Sequence, residues 1–152
     1  MATITRPILG SYMSMICFQY LREGAEDAAG RALIVTAGRK RGQDVIKELG
    51  LEGSSHDADA LRAKLDVVLG ADGTKLCIVD GVTTKANGGY EVRTKEGAEV
   101  AGMTSEEPHC AFTLGVFTGA ISALTGQQMI GSESQCSATG SAECVYQIDP
   151  FA

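Results

Sequence analysis

The sequence predicts a single domain, residues 1–152, of helices packed against a sheet, and three observations carry this. Apolar residues keep helical spacing through residues 26–49 and 57–69. Two Ile-, Val- and Thr-rich segments then flank Asn87-Gly88-Gly89, which is turn chemistry for a β-hairpin. Finally, residues 110–124 form the most apolar stretch of the chain, with Ala111, Gly115, Gly119 and Ala123 recurring every fourth position. Small residues at that spacing let one helix face approach a neighbour closely, so this segment is expected as a core helix against the sheet.

Each element has its own signal. Residues 9–21 are apolar, with Tyr12, Met13, Met15, Ile16, Cys17, Phe18 and Tyr20, but their period fits helix and strand alike. In 26–49, Ala29, Leu33, Ala37, Val45, Ile46 and Leu49 hold the helical face, Gly50 supplies the stop, and Gly38 and Gly42 are expected to kink or split the helix. Leu61, Leu65, Val68 and Leu69 share one face of a shorter helix that Gly70 ends. Residues 75–84 and 90–94 are the arms of the hairpin, and 127–130 and 143–148 complete the sheet. A membrane span needs ~20 apolar residues, and the run at 110–124 is bounded by Glu106-Glu107-Pro108-His109 and Gly126-Gln127-Gln128, so no membrane insertion is expected.

Composition narrows the function classes. A hydrophobic fraction of 44% with 21% charged residues is that of a globular chain, and 19 glycines with no Trp favour close backbone packing. The net charge of -6 repels phosphate backbones, so nucleic acid is not an expected partner. Arg39-Lys40-Arg41 is a local basic run, assigned to a solvated helix face. The N-terminal Met-Ala-Thr-Ile-Thr-Arg-Pro has no secretory pattern, and a cytoplasmic location is expected. Five cysteines in a reducing compartment read better as metal ligands and buried thiols than as disulfides. Cys17 and Cys77 lie in apolar segments and are expected to be inert core thiols.

The remaining cysteines form the pattern Cys110-x22-Glu133-x2-Cys136-x7-Cys144. Three thiols and a carboxylate are a complete tetrahedral set for zinc, and four protein ligands without an open position make a site structural rather than catalytic. Residues 137–142, centred on Gly140, can fold the chain back so that Cys136 and Cys144 meet. Glu133 and Cys136 would face opposite sides of a regular strand, so joint ligation requires a bulge, which Ser134 and Gln135 permit. Spacing alone leaves two readings open. Cys110 and Cys144 could equally be small core residues with Glu133 a surface charge, and without metal Cys136 and Cys144 could form a redox pair.

Pro108-His109-Cys110, Gly115-x3-Gly119, Leu124-Thr-Gly126, Glu133-x2-Cys136, Gly140 and Cys144-x-Tyr146 together resemble the 4-vinyl reductase-type domain, also called the hydrocarbon-binding domain. Ala37-Gly38-x3-Gly42 and Leu49-Gly50 are similar to its N-terminal helical half. The resemblance implies an α+β fold, an antiparallel sheet packed with helices, related to a vesicle-tethering subunit and a haem-based nitric-oxide sensor. In the sensor domains of aromatic-hydrocarbon-responsive regulators a Cys, a Glu and two further Cys hold zinc, which implies Cys110, Glu133, Cys136 and Cys144 here. Phenol sensors hold their ligand with a His and a Trp. This chain has no Trp, and His56 and His109 fall elsewhere, so phenol is not the implied ligand.

The implied activity is binding of a hydrophobic small molecule, with a tetrapyrrole or its precursor suggested by the family name. Tyr12, Met13, Phe18, Leu33, Phe112 and Phe117 are the candidate lining residues. The alternatives are an accessory protein or reductase of tetrapyrrole metabolism, or a dimeric assembly scaffold. Reduction has little support, because the chain carries no Gly-x-Gly-x2-Gly dinucleotide fingerprint and no catalytic residue can be assigned. A homodimer is the expected assembly.

Overall fold

The computed structural model describes residues 6–151. Helix α1 (Met15–Ala29) is followed by α2 (Arg31–Glu48) and α3 (Ala58–Leu69), then strands β1 (Ile78–Thr84) and β2 (Tyr90–Lys95). Helix α4 (Ala111–Thr125), strand β3 (Met129–Gln135), a short 3-10 turn (Ser137–Thr139) and strand β4 (Cys144–Pro150) complete the chain. The strands make one antiparallel sheet in the order β1-β2-β4-β3. The α+β architecture is therefore the expected one.

The N-terminal helices depart from expectation in an instructive way. Residues 26–49 are not one helix kinked at Gly38 and Gly42. The break falls earlier, at Gly30, whose φ of 88° is open to glycine and strained for other residues. Gly38 and Gly42 instead lie in the unbroken α2 because α4 crosses there. A Cβ on Gly38 would collide with the carbonyl oxygen of Phe112, and one on Gly42 with that of Val116. The fit is reciprocal, since a Cβ on Gly115 or Gly119 would strike the carbonyl oxygens of Val35 or Arg39. The small-residue stripe of α4 thus meets a matching stripe on α2, so two helix backbones pack closely there in addition to the expected contact of α4 with the sheet.

The sheet covers another side of α4, which is why this helix is apolar almost all round. Its polar residues solve their own hydrogen bonding: Thr118, Ser122 and Thr125 each donate to the carbonyl four residues earlier, at 2.7 Å. Ser122 Oγ also accepts from the Met129 amide at 3.0 Å and so pins the start of β3. Helix α3 is capped by Asp57, which accepts from the Ala60 amide at 3.0 Å, and its buried Leu61, Leu65 and Leu69 join the core.

Two further sequence expectations change. The ambiguous residues 9–21 resolve into a turn and the start of α1, where Ile16, Tyr20 and Leu21 are exposed and Cys17 is exposed too, not a core thiol. Strand β3 runs well past the expected 127–130, through Gly131-Ser132-Glu133-Ser134-Gln135, a polar sequence that an edge strand tolerates because one side of it faces water. Among the described residues no helix is long and apolar enough to cross a membrane.

Candidate metal centre and apolar cavity

The start of α4, the end of β3 and the start of β4 bring Cys110, Cys136 and Cys144 together. All three are buried, with their sulfurs within 4.8 Å of one another. Cys110 Sγ lies 4.0 Å from Cys136 Sγ and 3.7 Å from Cys144 Sγ. The chain reaches this arrangement as its spacing required: the 3-10 turn and Gly140, at φ 102°, fold 137–142 back. The β3–β4 register slips between Glu133 and Gln135, a bulge of the kind that joint ligation by Glu133 and Cys136 would require. Such a group of thiols can bind a metal ion.

Glu133 stands beside this group rather than inside the 4.8 Å set. Its Oε2 accepts from Arg31 Nη2 at 2.8 Å, while its Oε1 is buried with no hydrogen-bond partner. A buried carboxylate oxygen without a partner is costly, and coordination would satisfy it. Arg31 also donates to the Pro108 carbonyl at 3.1 Å, so the first residue of α2 clamps the loop before Cys110 and β3 together. Three thiolates and a carboxylate around a divalent ion sum to about -2, and the Arg31 guanidinium offsets one of those charges. Nothing in the sequence pointed to Arg31, which lies 102 positions from Glu133.

The three thiols differ in acidity. Hydrogen bonding to Cys136 and Cys144, then burial, pushes the Cys110 thiol up, and the bond from Cys110 holds the other two below the ordinary thiol range. Backbone groups of the turn support them, with the Ser137 amide donating to Cys144 Sγ at 3.3 Å. Burial drives the Glu133 carboxyl up and Arg31 pulls it back. Tyr146, in the adjoining core, has its phenol held above the usual range by burial and by Cys110 and Cys144, so it remains a protonated neighbour. Cys77, by contrast, is buried and pushed up to about 12, the mark of an unreactive thiol.

A second polar group fixes the start of α4. Cys110 caps the helix without a side-chain bond, and the carboxylate of Glu99 does that work instead. Glu99 Oε1 accepts from the Thr113 amide at 2.6 Å, and its Oε2 from the Phe112 amide at 3.2 Å and Arg22 Nε at 2.6 Å. Arg22 Nη2 donates to the His109 carbonyl at 2.5 Å and lies 2.5 Å from Glu26 Oε2. A carboxylate at a helix N-terminus is favoured by the backbone dipoles. Helix α1 is thereby tied to the residue before Cys110.

The candidate lining residues are only partly brought together. Phe18 and Phe112 meet edge to face, ring centroids 6.5 Å apart, and line one cavity of about 250 Å³ with Arg41, Thr74 and aliphatic residues that include Val45, Val68 and Val116. Phe117 points elsewhere, into the fully buried core against Tyr146 at 5.2 Å. Tyr12, Met13 and Leu33 are more than half exposed. Tyr12 lies under the Lys75 ammonium, 5.1 Å from the ring centroid.

The segment from β2 to β4 holds Cys110, Glu133, Cys136 and Cys144, and its sequence carries the family likeness. Residues 90–150 match the 4-vinyl reductase domain. The fold agrees with it over nearly the whole chain. A vinyl-4-reductase family protein from Methanocaldococcus jannaschii superposes with a TM-score of 0.62 at 13% identity, covering 95% of this chain and 85% of that one. The phenol-responsive sensory domain of the transcription activator PoxR gives 0.64 at 20% identity, covering 91% and 75%. A trafficking protein particle complex subunit 3 from Naegleria fowleri, bound covalently to palmitic acid, gives 0.58 at 14%, covering 90% and 89%. H-NOX domains are further neighbours. At these identities the likeness establishes the fold, and the relation to sensor and tethering folds that the sequence motifs implied holds at that level. No curated protein matches the chain in sequence.

Proposed function

We propose that this 4-vinyl reductase-type protein binds a compact hydrophobic molecule in the cavity between its helices, with zinc as a structural clasp on the β3–β4 end. The observation that carries the binding reading is the 250 Å³ cavity itself, walled by Phe18, Phe112 and aliphatic residues of α2, α3 and α4. Neighbours that hold phenol or palmitic acid on the same fold support it. The volume sits just below the ~300–1,000 Å³ usual for small-molecule pockets, so a compact guest fits as the structure stands. A tetrapyrrole or its precursor would require the helices to part.

Zinc is favoured by donor chemistry and spacing. Bonds of ~2.3 Å at tetrahedral angles set sulfurs about 3.8 Å apart, and two of the present separations are 3.7 and 4.0 Å. With Glu133 as fourth ligand the ion has no open position, so its role is to hold three chain segments in register rather than to react. An accessory or reductase role in tetrapyrrole metabolism has no residue in the cavity assigned to it.

Native mass spectrometry with indole and naphthalene tests the binding reading. One molecule should be retained per chain, and Val68→Trp, which fills the cavity with a larger ring, should abolish retention while the circular dichroism spectrum is kept. Retention of neither compound by the wild type would remove the reading.

Self-association is a second reading with its own observation. Ile8, Leu9, Tyr12, Ile16, Tyr20 and Leu21 are all exposed along α1 and the turn before it, a run of apolar surface of the kind that marks interfaces. A second copy of the chain is the proposed cover, giving a homodimer. Sedimentation at micromolar concentration should report a dimer that Ile16→Asp dissociates, whereas a wild-type monomer would eliminate it.

A further inference from the structure

The basic run Arg39-Lys40-Arg41 has three separate fates. Arg39 Nη2 donates to the Met129 carbonyl at 2.6 Å and ties α2 to β3. Lys40 pairs on the surface with Asp44 at 2.7 Å, one turn on. Arg41 is half-buried in the wall of the apolar cavity, and it forms no hydrogen bond or ion pair with any described residue. It is the one charged residue in a lining that is otherwise aromatic and aliphatic except for the hydroxyl-bearing Thr74.

From this we infer that the cavity takes an organic carboxylate, its apolar body inside and its anionic end on Arg41. The inference rests on the binding reading above and names the ligand class for the same site. A guanidinium offers a planar fork of donors that a carboxylate meets with two parallel hydrogen bonds, and the pair strengthens where an apolar wall excludes water. A neutral hydrocarbon would leave that fork to solvent. The surrounding field works against anions, because the chain as a whole carries -6. Selectivity for a carboxylate must therefore be local, and Arg41 is the residue placed to give it. Taking the ~30 Å³ share of a liquid water molecule as the scale for one heavy atom, 250 Å³ holds about eight of them. A medium-chain fatty acid or an aryl carboxylate has that size.

Octanoate and 1-octanol separate charge recognition from apolar burial, since they share a chain and differ at one end. Isothermal titration of the 152-residue protein at neutral pH should show octanoate bound at least tenfold more tightly than octanol. Arg41→Met should bring octanoate to the level of octanol and leave octanol unchanged, and Arg41→Gln, which keeps a polar end, should do the same. Equal affinity for the two ligands in the wild type, or an octanoate preference that survives both substitutions, overturns the carboxylate assignment and leaves hydrophobic binding standing. Binding of neither ligand overturns both.

Discussion

Replacing Cys110 with serine should strip the metal from the protein and lower its stability by about 4 kcal/mol, a fall in Tm of roughly 8–16 °C for a chain of this size. Cys110 is the hub of the sulfur group, with contacts of 4.0 and 3.7 Å to Cys136 and Cys144. It is also the N-cap residue of α4, so an ion held there would join the central helix to two strands. Metal binding free energy is coupled to folding, and structural zinc in small finger peptides is worth about 10–16 kcal/mol. The expected loss here is smaller because an extensive core remains when the metal is gone. Differential scanning calorimetry with elemental analysis reads both quantities. A chelator should bring the wild type down to the midpoint of Cys110→Ser and leave the variant unmoved. Acid should act in the same direction, because protons compete with the ion for thiolates. Wild-type protein purified without stoichiometric zinc would end the clasp reading.

Glu99→Ala should cost about 3 kcal/mol, the low end of the range for breaking a buried ion pair, because Arg22 keeps Glu26 as a second carboxylate. Both side chains are removed from water, at 0% exposure for Glu99 and 3% for Arg22. The substitution takes from Arg22 its fully buried carboxylate, leaving Glu26 and the His109 carbonyl as its partners, and also uncovers the amides of Phe112 and Thr113 that Glu99 caps. Removing both charges together, as Glu99→Ala with Arg22→Met, should cost less than the sum of the two single substitutions, since the Arg22–Glu99 pair is then removed whole. Guanidinium denaturation measures the cycle. A single-variant loss under about 1 kcal/mol would show that water reaches Arg22 and that the pair is not structural. Because Glu99 fixes the first turn of α4, the same variant should hold zinc less tightly, through the position of Cys110.

Much of this protein is legible in its sequence because the signals are local. The helical period of 57–69, the Asn87-Gly88-Gly89 turn and the apolar run at 110–124 each specify an element within a few residues. The cysteine spacing behaves similarly. A bulge between Glu133 and Cys136 and a reversal around Gly140 were both required by the pattern, and both are present. What misled was a glycine's meaning. Gly38 and Gly42 carry the same conformational freedom as Gly30, yet only Gly30 uses it to break the helix, while the other two matter for what their missing side chains let α4 approach. A lone sequence does not separate those uses, because the distinction lies in the neighbour.

The same limit applies to the side chains that complete each site. Residue type and short spacing were enough for the class of fold and the family likeness, and for naming candidate ligands. It took the packed chain to bring Arg31 to Glu133 across 102 positions, Arg22 to Glu99 across 77, and, of three adjacent cations, Arg41 alone into the wall of the cavity. Those pairings are set by the crossing of α2 on α4 and by where α1 lies over the loop before α4. Helix crossings follow from how two surfaces interdigitate, a property of residues distant in the chain, and no periodicity within either segment encodes it.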